Sequence, residues 1–159
     1  MKLFAFPLDK IKKHEEWYEI IKKNFFGKIK DNRIYLNIFE LLYLYENRKN
    51  KKITIKKLEQ LKNKYLEEYL IFKDLVNKGF VVKTALKYGF NFRVYRKKDF
   101  IENEHSLYLV YVLKENKEIN SFDLIAKLRV AHSVRKRVLF AFVDSETSII
   151  YYENRWLRL

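Results

Sequence analysis

The sequence predicts two small units: a helix-rich α+β domain over residues 1–68 and an α/β domain with a central mixed sheet over residues 69–159. Three observations lead there. Of 159 residues, 48% are hydrophobic, which supports a buried core and argues against global disorder. Up to about residue 68 the apolar residues recur mostly at helical spacing, whereas beyond it they gather in short continuous runs. Among those runs lies one clear amphipathic segment, "SFDLIAKLRVAHSVRK", of the kind that crosses between strands of a sheet covered on both faces.

The elements follow in order. "HEEWYEIIKKNF" predicts a helix, with Trp17, Ile20, Ile21 and Phe25 close to i, i+3, i+4 spacing. Asp31-Asn32 predicts a turn, "RIYL" a short strand, and the next residues a helix carrying Ile38, Leu41, Leu42 and Tyr45. "ENRKNKK" reads as a charged loop, after which Thr54 is placed to cap a helix over "IKKLEQLKN". A further helix over "LEEYLIFKDLVNK" stops at Gly79, a residue suited to the left-handed position after a helix. Then come five strand-like runs: "FVVKTAL", "NFRVY", "SLYLVYVL", "RVLFAFV" and "SIIYY". Ser121 is the expected N-cap of the amphipathic segment, and Leu124, Leu128 and Ala131 form its core stripe.

Composition narrows the function. Lys and Arg number 34 against 20 Asp and Glu, a net charge of +14, and aromatic residues make up 17%. Cations for phosphates and rings for stacking suit an RNA partner; the competing reading is a lysine-rich composition set by coding bias or heat adaptation. Cysteine is absent, so disulfides and thiolate metal sites are excluded. The first twenty residues carry no run resembling a signal peptide and no window is apolar enough to span a bilayer, so a cytoplasmic protein with no membrane partner is expected.

Three residues in the second unit carry chemistry when taken together. Tyr95 ends one strand-like run, and after the polar stretch "RKKDFIENE" His105 stands at the threshold of the next. If those strands are antiparallel neighbours, both residues lie at one end of the sheet. Lys136, at the end of the amphipathic segment just before "RVLFAFV", can join them, and it shares a helical face with Arg129 and His132 by spacing. Tyr, His and Lys form a candidate set for cleaving RNA without metal or cofactor. The 2′-hydroxyl must lose a proton, the leaving 5′-oxygen must gain one, and the phosphorane between them is anionic. Histidine suits the acid and lysine the anion; a tyrosine, with an ordinary pKa of about 10, serves as base where cations favour its phenolate.

"GFVVKTALKYGFNFRVY", "EHSLYLVYVL", "LRVAHSVRKRVLFAFVD" and "YYENRW", in that order, resemble the catalytic subunit of archaeal tRNA-splicing endonuclease. The likeness is dense from about Tyr69 to Trp156 and looser before it, through "RIYLNIFELLYLYEN" and "YLEEYLIFKDL". It implies a nuclease-like α/β second domain and a catalytic triad of Tyr95, His105 and Lys136. It also implies a precursor tRNA substrate cut at a bulge–helix–bulge, with 2′,3′-cyclic phosphate and 5′-hydroxyl products. Family members clamp a bulged base between arginines; the resemblance points to Arg129 and Arg155, and makes His132 structural or substrate-adjacent rather than catalytic.

The resemblance also implies an assembly: a homotetramer, or a heterotetramer with a structural subunit. Asp144 and Glu146 form an acidic tip that in the family inserts into a basic cleft of a neighbour, while the last strand, with Ile149, Ile150, Tyr151 and Tyr152, pairs with another subunit. Opposite charge sets register, and an apolar final strand is otherwise an exposed edge. Rival readings are a metal-dependent nuclease using Asp99, Glu102 and Glu104, a non-catalytic structural or RNA-binding subunit, and a general RNA chaperone.

Overall fold

The computed structural model describes residues 3–47, 56–103, 105–114 and 118–154. The chain divides into two units, Met1–Tyr69 and Leu70–Leu159.

In the first unit, Asp31 and Asn32 take φ of 49° and 54°. Two successive left-handed residues make the tight turn that matches strand twist. They join β2 (Lys28–Lys30) to β3 (Arg33–Leu36), with β1 (Phe4–Pro7) antiparallel on the other side of β3. Ile34 and Leu36 point from β3 into the core. Around the sheet run α1 (Leu8–Lys13), α2 (Glu15–Asn24), α3 (Ile38–Glu46) and α4 (Lys56–Lys64). The expected helices, turn and strand are present. β1, α1 and β2 are not foreseen, because each is six residues or fewer and none repeats an apolar period. Thr54 and most of "ENRKNKK" lie outside the described residues.

A capping box holds the entry to α3. The Asn37 side chain accepts from the Phe39 and Glu40 amides at 2.9 and 3.0 Å, and the Asn37 amide donates to Glu40 at 2.9 Å. The other Glu40 oxygen accepts from the Gly27 amide at 3.1 Å, so this buried carboxylate ties the strand–helix junction to the start of β2.

Helix α5 (Leu66–Asn77) ends at Gly79, whose φ of 88° fits the expected stop. Among the described residues of the second unit, five strands form one mixed sheet in chain order: β4 (Val81–Thr84), β5 (Phe92–Tyr95), β6 (Tyr108–Leu113), β7 (Arg137–Val143) and β8 (Ile149–Asn154). Only β6 and β7 are parallel; the other pairs are antiparallel. The crossover between the parallel strands carries α7 (Ser121–Ser133), which packs Ala131, Leu124 and Leu128 against Leu109, Val138 and Phe140. On the opposite face Phe72 of α5 meets Phe92 at 5.8 Å and the Tyr151 hydroxyl donates to Asp74 at 2.7 Å. The sheet is thus covered on both faces, which is why its central strands read as continuous apolar runs.

Three local expectations are corrected. Asn120, not Ser121, caps α7, its side chain accepting from the Phe122 amide at 2.8 Å. The polar stretch after Tyr95 is not all loop: it holds the short helix α6 (Lys97–Ile101). And α7 stops at Ser133, so Lys136 does not share a helical face with Arg129 and His132.

Candidate active site

The antiparallel pairing of β5 with β6 puts the end of one beside the start of the other. Val94 is registered with Tyr108, and the Leu107 amide donates to the Val94 carbonyl at 2.7 Å. Tyr95 and the residues just before β6, His105 among them, therefore share one end of the sheet. The parallel pairing of β6 with β7 brings a third chain there, since Tyr108 is registered with Arg137 and Lys136 immediately precedes it. The site forms at the amino ends of β6 and β7, the reverse of the carboxyl-end rule for open parallel sheets.

Each side chain is held by its own local structure. Tyr95 is buried, and Phe100 of α6 packs edge-on to its ring with centroids 5.3 Å apart. That helix is anchored in turn by Asp99, a buried carboxylate that accepts from Arg96 Nε at 2.7 Å. His105 is exposed, with the buried Ser106 following it. Lys136 is placed by the way α7 ends. Arg135 adopts φ of 53°, its amide donates to the His132 carbonyl at 3.0 Å, and the Lys136 amide reaches back to the Ala131 carbonyl at 2.8 Å. This is the hydrogen-bond pattern of a Schellman stop, here with arginine where glycine is usual.

Tyr95, His105 and Lys136 line one cleft of about 120 Å³, together with Tyr88, Arg93 and Val134. Burial lowers the Lys136 ammonium below an ordinary lysine. The cleft holds two phenols, an imidazole and two cations, a set able to bind a phosphodiester and move protons on either side of it. Arg93 was not singled out in the sequence. It lies two residues before Tyr95 in β5, its guanidinium carbon is 5.9 Å from the Tyr88 ring centre, and its buried Nε has no hydrogen-bond partner among the described residues. A polar residue alternating with apolar ones in "FRVY" reads only as strand pattern, so no signal marked it.

The other sequence candidates stand elsewhere. Arg129 and His132 are exposed on α7 and do not line the cleft, and Arg155 lies outside the described residues. Asp144 closes its own hairpin, one oxygen accepting from the Glu146 and Ser148 amides at 3.0 and 2.8 Å, while Glu146 is exposed. Ile150 and Tyr152 are exposed on β8; Ile149 and Tyr151 are partly covered, the latter bonded within its own unit. For the metal-site rival, Asp99 is paired with Arg96 and Glu102 approaches Lys98 at 4.0 Å. Glu104 lies outside the described residues, among which no group of three His, Asp or Glu side chains could hold a metal ion. Nor is any described helix long and apolar enough to cross a membrane.

Comparison with known proteins converges on one family. Residues 10–64 match the family described as tRNA intron endonuclease, N-terminal domain, and residues 65–151 match tRNA intron endonuclease, catalytic C-terminal domain. The chain is 38% identical to a tRNA-splicing endonuclease of Thermococcus gammatolerans over 149 residues, covering 87% of each. It is 37% identical to one of Methanothermobacter thermautotrophicus over 144 residues, covering 86% of this chain and 85% of the relative. A tRNA-splicing endonuclease of Pyrococcus abyssi is 36% identical over 143 residues, 84% of this chain and 82% of that one. With both family domains matched across residues 10–151 and relatives of this identity along most of its length, the chain belongs to the archaeal tRNA-splicing endonuclease family.

Proposed function

We propose that this chain is a metal-independent RNA endonuclease that excises introns from precursor tRNA at bulge–helix–bulge sites, leaving 2′,3′-cyclic phosphate and 5′-hydroxyl ends. The observation that carries the reading is the convergence of Tyr95, His105 and Lys136 on one cleft from three separate segments. Tyr95 takes the proton of the 2′-hydroxyl nucleophile. The 2′-oxygen attacks the adjacent phosphorus, and the P–O5′ bond breaks as His105 donates a proton to the leaving oxygen. The Lys136 ammonium stabilises the charge on the phosphorane, as preorganised cations do where charge develops. Arg129, with Arg155 as its partner, holds a bulged base between guanidinium planes.

Each chain carries one such cleft, and an intron needs two cuts. A tetramer holds at least two at fixed spacing: four if built of this chain alone, two if it pairs with a structural subunit. Its contacts would be the edge of β8, from Ile149 to Tyr152, and the acidic hairpin tip with Asp144 and Glu146.

The test is incubation of the full chain with a bulge–helix–bulge RNA in EDTA, with end-group analysis of the products. Cleavage to a cyclic phosphate is expected, and a substrate with 2′-deoxyribose at the cut should resist. Normal cutting of the deoxy substrate, or abolition by EDTA, refutes the mechanism. A chain that binds the RNA but never cuts it would favour the structural-subunit reading.

A further inference from the structure

His105 lines two cavities. One is the cleft with Tyr95 and Lys136; the other, of about 500 Å³, is walled by Arg96, Arg135, Arg137 and Asn103. In the mechanism proposed above, the general acid lies beside the leaving 5′-oxygen, on the far side of the scissile phosphorus from the base. The strand on the leaving side must therefore continue past His105, and the second cavity is one that His105 lines while Tyr95 and Lys136 do not.

We propose that this groove binds the RNA backbone phosphates on the 3′ side of the cut, and so fixes the direction in which the strand crosses the site. Three guanidinium groups line it, and the one carboxylate among its described lining residues, Asp99, is already paired with Arg96 at 2.7 Å. Arg137 is held in place: its guanidinium carbon stacks 4.7 Å from the centre of the Tyr108 ring, and one nitrogen donates to Glu153 at 3.2 Å. A guanidinium so fixed keeps further donors for phosphate oxygens, as the planar fork allows. Arg135 is exposed and occupies the left-handed position after α7, where glycine would be the relaxed choice. Its cation is thus presented from a conformation the chain keeps at some conformational cost.

The inference rests on the acid and base assignment above, and its test keeps the two apart. The probe is a bulge–helix–bulge RNA with 2′-deoxyribose at the cut, so that it binds without reacting. Single linkages are made neutral by methylphosphonate, two or three positions to either side of the cut. For the full chain, neutral linkages on the 3′ side should weaken binding about threefold to tenfold. Arg135→Gly relaxes the backbone while removing the cation. It should bind the charged probe more weakly by a similar factor and become insensitive to the 3′ linkages. Arg135→Lys should retain part of the sensitivity.

Sensitivity confined to 5′ linkages, or an Arg135→Gly chain indistinguishable from the parent, overturns the proposal. So does a variant whose RNA binding is intact but whose oligomer falls apart, since the groove would then receive an acidic protein segment. Cleavage of the all-ribose RNA by the parent is the control. If the parent cuts but the linkages have no effect, only this inference falls; if the parent neither cuts nor binds, the proposed function falls with it.

Discussion

Replacing His105 and His132 in turn separates the proposed acid from its near neighbour. His105 is exposed just before β6, and the backbone there is pinned by the Leu107–Val94 hydrogen bond rather than by the imidazole. Truncation to alanine removes little packing, so stability should change by no more than about 0.5 kcal/mol. The chemical step should lose about 10²–10⁴-fold, or about 3–5 kcal/mol at 1.36 kcal/mol per decade. His132 is also exposed, in the last turn of α7, but does not line the cleft. Its truncation should lower the rate by less than about threefold, in keeping with a surface change of about 0.5 kcal/mol. The assay is single-turnover cleavage of a bulge–helix–bulge RNA, with binding measured separately on the deoxy analogue. A second substrate, with sulfur in place of the bridging 5′-oxygen, sharpens it. A thiolate departs without a proton, so His105→Ala should recover most of its rate there. Equal losses at the two histidines, or no recovery with the sulfur leaving group, would refute the assignment of His105 as the acid.

Four further outcomes are expected. Because burial lowers the Lys136 ammonium, activity should fall on the alkaline side before an ordinary lysine would titrate, near pH 10.4. A rate–pH profile of Lys136→Arg should extend to higher pH, even at a lower plateau. By linkage, the unfolded chain binds more protons at Lys136 between its lowered value and the ordinary one, so this group makes urea stability rise with pH across that window. Gly27→Ala should cost about 2–5 kcal/mol in urea unfolding, from the left-handed strain and the overpacking together. Its φ is 72°, and a Cβ would stand 2.7 Å from Ile34. Arg129→Ala should raise the Kd for a bulged RNA more than for a plain duplex, measured by fluorescence anisotropy. On the proposed assembly, Glu146→Lys should leave dimers where the parent chain forms tetramers, read by light scattering; it tests the acidic tip more cleanly than Asp144→Lys, since Asp144 also closes the hairpin.

What was legible in the sequence follows from where the signals are physical. The strands around the site are buried on both faces, so "SLYLVYVL" and "RVLFAFV" announce themselves by continuous apolarity, and with them the positions of His105 and Lys136 at strand starts. The Asp31-Asn32 turn is equally direct, since few other residue pairs take two left-handed conformations in succession. Helix α6 leaves no such trace: it is five residues long, and its anchor is a buried Asp99 that reads as one more charge in a polar stretch. The end of α7 is hidden for a related reason. Glycine announces a helix stop, but Arg135 makes this one, so the apolar periodicity extends the expected helix three residues past its end at Ser133. That extension puts Lys136 on a face with Arg129 and His132, while strand register places it beside the start of β6, in the cleft that Tyr95 also lines.

The unusual end of α7 also bears on why the cleft is built from cationic side chains. Many phosphate sites use a helix N-terminus, where free amides and the positive end of the dipole meet the anion. Here the crossover between parallel strands runs back along the sheet, so α7 brings its C-terminus to the amino ends of β6 and β7. That end carries roughly half a negative charge and would repel a phosphate. Two features counter it. The Arg135 and Lys136 amides engage the His132 and Ala131 carbonyls, withdrawing two of the exposed acceptors. The same two residues then supply two full positive charges, one toward each of the cavities that His105 separates. A glycine at position 135 would end the helix with less strain but leave the larger cavity beside His105 with one guanidinium fewer. On the proposed function, the strained arginine follows from the topology: a phosphate-binding cleft at a helix C-terminus must import the positive charge that a helix N-terminus would have provided.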